Sequence, residues 1–146
     1  IEVHERIVKA FPRTEGALKA LKAQARLQRE RLSRPAEAVK TLRRVADDYR
    51  FPAGAEALKE AAVIGRKDLK DYGLEVELRR QVASSYPDTS EATEQLYAAA
   101  EILEDDLKDD AQAKAAYQEV VSKYPTHKLA KKAQDRIAKI DKRSSQ

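Results

Sequence analysis

The sequence predicts an all-α fold: a right-handed superhelical solenoid of antiparallel helix pairs. Three observations carry this. A five-residue phrase of two apolar residues, two mostly polar ones and an aromatic occurs four times, at 7–11, 45–49, 82–86 and 120–124. Its aromatics, Phe11, Tyr49, Tyr86 and Tyr124, stand 38, 37 and 38 residues apart, and a fixed period of about 20–50 residues marks stacked repeats. Proline follows three of the four copies at once, as Pro12, Pro87 and Pro125, and the fourth after two extra residues, as Pro52. Between these stops, three columns agree: Leu21/Leu58/Leu96, Ala25/Ala62/Ala100 and Leu32/Leu69/Leu107. The alanine column has a physical reason, since two helices joined by a short turn approach closely only where a contact residue is small.

Each helix follows from its spacing. Residues 1–12 read as the second helix of an incomplete N-terminal repeat, with Val3, Ile7 and Phe11 four apart on one face and Pro12 as the stop. Residues 13–49 form the first full repeat. Its first helix, 14–31, starts on Thr14 as N-cap and buries Leu18, Leu21 and Ala25. The return helix, 36–49, follows the turn at Pro35 and buries Ala38, Leu42, Val45 and Tyr49. Residues 50–86 repeat the plan, with helices near 53–67 and 71–85 about the turn Asp68-Leu69-Lys70-Asp71. Gly73 weakens the second of these by about 1 kcal/mol relative to alanine. Residues 87–125 form the third repeat. Asp88 with Glu91 resembles a capping box, and Ala92, Leu96, Ala99, Ala100 and Leu103 line one face. The turn Asp106-Leu107-Lys108-Asp109 copies 68–71, and Ala113, Tyr117, Val120 and Tyr124 line the return helix. Residues 126–142 form a capping helix with Ala130, Ala133, Ile137 and Ile140 inward and lysines outward, and 143–146 form a frayed tail.

Composition narrows the function classes. Apolar residues make up 42% of the 146 and charged residues 37%, enough apolar material for an alanine-rich helical core. No run of about 18 apolar residues is present to span a membrane. Absence of cysteine excludes disulfides and thiolate metal sites and fits either cytoplasm or periplasm. There is no methionine, and the chain opens inside an apolar-periodic segment, so it reads as a processed or truncated piece of a longer protein. The formal charge of +4 is segregated: residues 13–50 carry 11 basic and 5 acidic side chains, 88–125 carry 3 and 10, and 126–146 carry 7 and 2. The acidic stretch interrupts the basic ones, which argues against a continuous phosphate track and against nucleic acid as partner.

The small-x3-large pattern Ala113-x3-Tyr117, followed by Val120 and Pro125, resembles the tetratricopeptide repeat, and Ala38-x3-Leu42 is similar. The aromatic-proline ending before a hydroxyl residue, as in Tyr86-Pro87-Asp88-Thr89 and Phe11-Pro12-Arg13-Thr14, resembles a bacterial envelope subgroup of that family. That subgroup includes the lipoprotein of the β-barrel assembly machinery and the Tol–Pal coordinator proteins. The chain departs from the pattern at Glu75 and Arg79, where a small and a large apolar residue are expected, and at Lys22 and Lys59.

The resemblance implies a non-catalytic scaffold that holds a protein or peptide segment in a concave groove, as an accessory module of an envelope assembly. That places it in the periplasm or at the outer membrane, with the cytoplasm as the alternative. In the family the first helix of each pair lines the groove. Carried over by the Leu21/Leu58/Leu96 register, the groove residues are Lys19, Ala23 and Arg26, then Glu56, Glu60 and Val63. Next come Glu91, Glu94, Gln95, Ala98 and Glu101, and on the last helix Lys132, Arg136 and Lys139. The order is basic, acidic, acidic, basic, which suits a partner of matching charge order. Two alternatives stand beside this: a structural subunit docked by its ends or convex face in a larger complex, and a binder of anionic surfaces through 128–143.

No catalytic residue, metal ligand or cofactor is expected. His4 and His127 lie far apart in the chain, and no phosphate loop or nucleophile grouping is present. The carboxylates Glu104, Asp105, Asp106, Asp109 and Asp110 lack the order of a calcium loop and read as turn chemistry.

Overall fold

Eight α-helices and no strand make up the chain in the computed structural model, which describes residues 1–146. They are α1 (Glu2–Ala10), α2 (Glu15–Glu30), α3 (Pro35–Asp48), α4 (Ala53–Lys67), α5 (Tyr72–Ser85), α6 (Ser90–Asp105), α7 (Asp110–Lys123) and α8 (Lys128–Ser144). The fold is the all-α helical repeat that the period predicts. Two compact units divide it, residues 1–71 and 72–146. In the first, α1 packs on α2, α2 on α3 and α3 on α4; in the second, α5 packs on α6, α6 on α7 and α7 on α8.

The helix pairs are closed by one repeated turn. The N–H groups of Leu32, Leu69 and Leu107 donate to the carbonyls of Leu27, Ile64 and Ile102 at 2.9, 3.1 and 3.0 Å. The next residue, Ser33, Lys70 or Lys108, takes left-handed backbone at φ 51, 53 and 54°. The following N–H groups, of Arg34, Asp71 and Asp109, then reach back to Gln28, Gly65 and Leu103. Carbonyls that would be orphaned at each helix end are thereby satisfied.

Between pairs, a second device recurs. Thr14 Oγ1 accepts from the Ala17 N–H at 3.1 Å and donates to the Phe11 carbonyl at 2.7 Å. Thr89 does the same with Ala92 and Tyr86 at 3.2 and 2.7 Å. The cap of α6 is therefore Thr89, and the expected capping box from Asp88 to Glu91 is corrected. A hydroxyl three residues after the aromatic can bond both ways, and a carboxylate at Asp88 cannot donate. Tyrosine hydroxyls then fasten α3 and α7 to the preceding loops: Tyr49 donates to the Thr14 carbonyl at 2.7 Å and Tyr124 to the Pro87 carbonyl at 3.0 Å.

The core is aliphatic and tight. Ala25, Ala62 and Ala100 are 2, 0 and 0% exposed, so the alanine column lies at full helix–helix contact. Leu21, Leu58 and Leu96 are buried beside it. Two expectations need revision. On α1 the buried residue is Val8, while Val3 and Phe11 are 65 and 62% exposed, so α1 contacts α2 through the opposite edge of its apolar face. Helix α8 continues through Ser144, and Arg143, expected in the tail, holds Glu104 and Asp110 at 2.9 Å each.

The departures at Glu75 and Arg79 compensate one another. They are one turn apart on α5 and form an ion pair at 2.9 Å, with Glu75 buried. Arg79 also donates to Gln95 Oε1 on α6 at 2.6 Å. Val76, Leu78 and Val82 stay buried around this pair, so the apolar seam of α5 survives the exchange.

Replacing Thr89 by alanine removes a cap and a loop bond together and is expected to destabilise the chain by about 1–2 kcal/mol. Asp88→Ala is expected to change stability by less than about 0.5 kcal/mol. Urea unfolding of both variants reads the difference, and an equal loss from the two would return the cap to Asp88.

Candidate functional site

The polar positions of α2 and α4 face solvent in the first unit. Lys19, Ala23 and Arg26 are exposed on α2, and Glu56 and Glu60 are exposed on α4; Val63 is half-buried. A cavity of about 340 Å³ opens between these helices, lined by Lys22, Arg26 and Glu30 of α2, Leu42 of α3, and Glu56, Ala57 and Glu60 of α4. Lys22 is a lining residue that the register did not select. It stands one place after the packing leucine, and its replacement of a small residue was the available signal.

Charge in this cavity is only partly answered from within. Arg26 pairs with Glu30 at 3.2 Å, both well exposed, a contact worth under about 1 kcal/mol. Lys22, Glu56 and Glu60 make no hydrogen bond or ion pair. Below the cavity Arg29 holds Asp68 at 2.8 Å, which ties the end of α2 to the end of α4.

In the second unit α6 and α8 stand in register at an offset of 38. Thr89 and His127 N–H groups donate to the Tyr86 and Tyr124 carbonyls at 3.3 and 3.1 Å, and Ala92 and Ala130 N–H groups to the Thr89 and His127 carbonyls at 3.1 and 2.9 Å. His127 Nδ1 takes the place of the threonine hydroxyl as cap, accepting from the Leu129 N–H at 3.1 Å. The shared register aligns Glu94 with Lys132 and Glu101 with Lys139, all four exposed. Glu94 and Glu101 of α6 thus hold places equivalent in the repeat to Lys132 and Lys139 of α8.

Four expected groove residues of this unit are less free than their register suggests. Gln95 is 9% exposed and engaged by Arg79. Glu91 and Ala98 are half-buried. Arg136 turns inward and donates through Nε to Glu104 at 2.9 Å, with a second, shorter contact from Nη2.

Glu104 is the centre that sequence reasoning missed. Its side chain is 3% exposed, and besides Arg136 it accepts from the Tyr117 hydroxyl at 2.9 Å and from Arg143 at 2.9 Å. Burial by itself would raise the Glu104 carboxyl; the bonds from Arg136, Arg143 and Tyr117 outweigh it and hold the group below the usual carboxylate range. Tyr117, fully buried, is pushed far above the usual phenol range by desolvation and then by Glu104. Its ring meets Tyr97 edge-on, with centroids 5.4 Å apart. The expected acidic cluster is thereby dispersed into separate tasks. Asp109 caps α7 by accepting from the Gln112 N–H at 3.0 Å, Asp110 pairs with Arg143, and Asp105 faces solvent.

Glu101 has the opposite environment from Glu104. Although Glu101 as a residue is exposed, partial desolvation of its carboxyl first, then the neighbouring Asp105, push it up, against the pull of Arg136 and Lys132. No side chain hydrogen-bonds its charge, so the ionised form is under-compensated. Among the lysines of α8, Lys128, Lys131, Lys132, Lys139 and Lys142 are exposed and hold no ion pair.

Glu104→Gln leaves two guanidinium groups facing a neutral amide and is expected to cost about 3 kcal/mol at pH 7. Because the folded-state pKa of Glu104 is depressed, its contribution is present above the unfolded pKa and is lost as pH falls through the folded value. The acid limb of the stability curve, below about pH 4, should therefore be shallower in the variant. Denaturant unfolding from pH 7 to pH 2 measures both effects, and equal stability at pH 7 would remove Glu104 from the structural core.

Residues 96–127, which comprise the end of α6, the turn and all of α7, match a family model described as the tetratricopeptide repeat. No curated protein and no solved structure gives a match. The match supports a tetratricopeptide-repeat protein, and repeats of this kind generally mediate protein–protein interaction.

Proposed function

We propose that this chain is a non-catalytic interaction scaffold, and that partner segments lie along the first helices of its pairs. The observation that carries this is the uncompensated charge at those helices. In the first unit Glu56, Glu60 and Lys22, none of them paired, line a cavity of about 340 Å³. A buried ion has to find its partner inside the fold, whereas exposed, unpaired charges gathered in a concavity are free to answer a ligand. The repeated helix pair supplies rigidity, so little ordering cost falls on the scaffold when a segment binds.

A finer reading places the scaffold in a bacterial envelope assembly, in the periplasm or at the outer membrane. Its support is the aromatic-proline-x-hydroxyl ending at 11–14 and 86–89, whose threonines both cap and lock the loop. A second reading, docking as a structural subunit, has its own support. Val3 and Phe11 are exposed on α1, and a cavity of about 860 Å³ lies beside α5 and α7, lined by Glu77, Arg80, Gln81, Ser84, Glu119 and Lys123 among others. There Arg80 and Glu119 already pair at 2.7 Å, which leaves less charge to answer a partner.

Photo-crosslinking amino acids placed one at a time at Ala23, Glu60, Ser84 and Val3 separate the two in cells. Adducts at Ala23 and Glu60 are expected, and those at Ala23 should vanish with Glu56→Lys/Glu60→Lys. Adducts only at Ser84 or Val3 would replace groove binding with structural docking, and adducts to non-envelope proteins alone would remove the envelope reading.

A further inference from the structure

We propose that the outer face of α8 is an electrostatic docking site for an anionic lipid bilayer. It is a second surface, independent of the groove reading above. Lys128, Lys131, Lys132, Lys139 and Lys142 are exposed, and none is held in an ion pair. With about 3.6 residues per turn, the five fall within about 100° of the helix circumference and run along about 20 Å of it. That arc lies opposite the buried Ala130, Ala133 and Ile140. One acid, Asp135, stands inside it and is exposed.

Two observations distinguish this stripe from a face that only keeps a helix wet. The fold sorts the cations of α8: Arg136 and Arg143 turn to Glu104 and Asp110, while the lysines stay outside. The signs are also segregated. Helix α8 carries seven basic and two acidic side chains, and the rest of its unit, 72–127, carries five and twelve. Solubility is served by mixed charges and does not call for one sign gathered on one face of an otherwise acidic body. Such a unit is dipolar, and a negative plane turns it with α8 toward the plane.

Chemistry selects a bilayer over other polyanions. A lysine ammonium is a point charge that sets no geometry for its partner, whereas guanidinium forks match fixed phosphates. Fluid lipids gather anionic head groups at each lysine and leave a neutral one at Asp135. A nucleic acid holds its phosphates at fixed spacing, so one of them would meet Asp135. Its bases would find no aromatic ring on α8 to stack on. A flexible polyanion bending around the helix would meet the acidic remainder of the unit, while a plane touches one face. No large apolar side chain of α8 is exposed, so the contact is adsorption without insertion and depends on salt.

The test floats the whole chain at low salt with vesicles of phosphatidylcholine alone or with about one-third phosphatidylglycerol. Binding to the mixed vesicles only is expected, and it should fall as salt rises. Each lysine at an anionic surface strengthens binding by about fivefold, so Lys132→Gln/Lys139→Gln and Lys131→Gln/Lys142→Gln should each weaken it by about twentyfold. Asp135→Asn should strengthen it by about fivefold, a gain that a merely solvating face would not give. Lys9→Gln/Lys40→Gln removes the same charge at exposed places elsewhere and should weaken binding by less than about threefold. Urea unfolding verifies that each variant is folded. No binding to the mixed vesicles, or equal binding to both kinds, overturns the proposal. So does an equal loss from the Lys9/Lys40 pair, which would make net charge the cause. A preference for a double-stranded oligonucleotide at equal phosphate concentration, lost with the same α8 lysines, overturns it in favour of nucleic acid. Crosslinks at Ala23 and Glu60 should persist in the α8 variants, so failure of either reading leaves the other standing.

Discussion

The constraint on which the rest depends is close helix contact at an alanine. Ala25, Ala62 and Ala100 sit at equivalent places, essentially without solvent exposure, and within the units consecutive helices pack closely, α2 on α3 and α3 on α4 in the first, α6 on α7 in the second. A larger side chain there would force the pair apart and cost about 1–3 kcal/mol in strain. The turns that follow these alanines share one backbone path. That is why Ser33, Lys70 and Lys108 share one left-handed conformation although only glycine adopts it without cost. The period of 37–38 residues is thus a packing requirement before it is a recognition feature.

Fixed step has an electrostatic consequence. Residues separated by 39 positions meet repeatedly: Glu5 with Arg44 and Arg29 with Asp68 in the first unit, Arg80 with Glu119 and Glu104 with Arg143 in the second. The sign order is reversed between Arg29–Asp68 and Glu104–Arg143, so the geometry is kept while the charges are exchanged. Exposed pairs of this kind contribute little to stability. Glu104 differs because it is buried and accepts from three side chains, and there the pairing is a structural necessity.

Much of this was legible in sequence. Helix positions followed from the period, from Pro12, Pro35, Pro87 and Pro125, and from the leucine and alanine columns, because each reports a local backbone rule. Thr14 as a cap followed from its type. What sequence could not show was which polar side chains another helix recruits. Gln95 and Arg136 occupy groove positions by register, yet Arg79 and Glu104 draw them inward, and neither partner is near in the chain. Glu75 and Arg79 looked like defects because the pattern expects apolar residues there; their one-turn spacing was the sign that they pair. Thr89 displaced Asp88 as cap by one residue because the loop also needs a donor to the Tyr86 carbonyl.

Under the proposed reading, recognition falls to the charged first helices, while return helices carry the tyrosine and valine packing. A titration of the ¹⁵N-labelled chain with the partner segment that crosslinks at Ala23 and Glu60, followed by amide and side-chain shifts, tests this division directly. Shifts centred on Lys22, Arg26, Glu56 and Glu60, with α5 and α7 unmoved, are the predicted result. Shifts centred on Arg80, Ser84 and Glu119, with α6 and α8 unmoved, would contradict it.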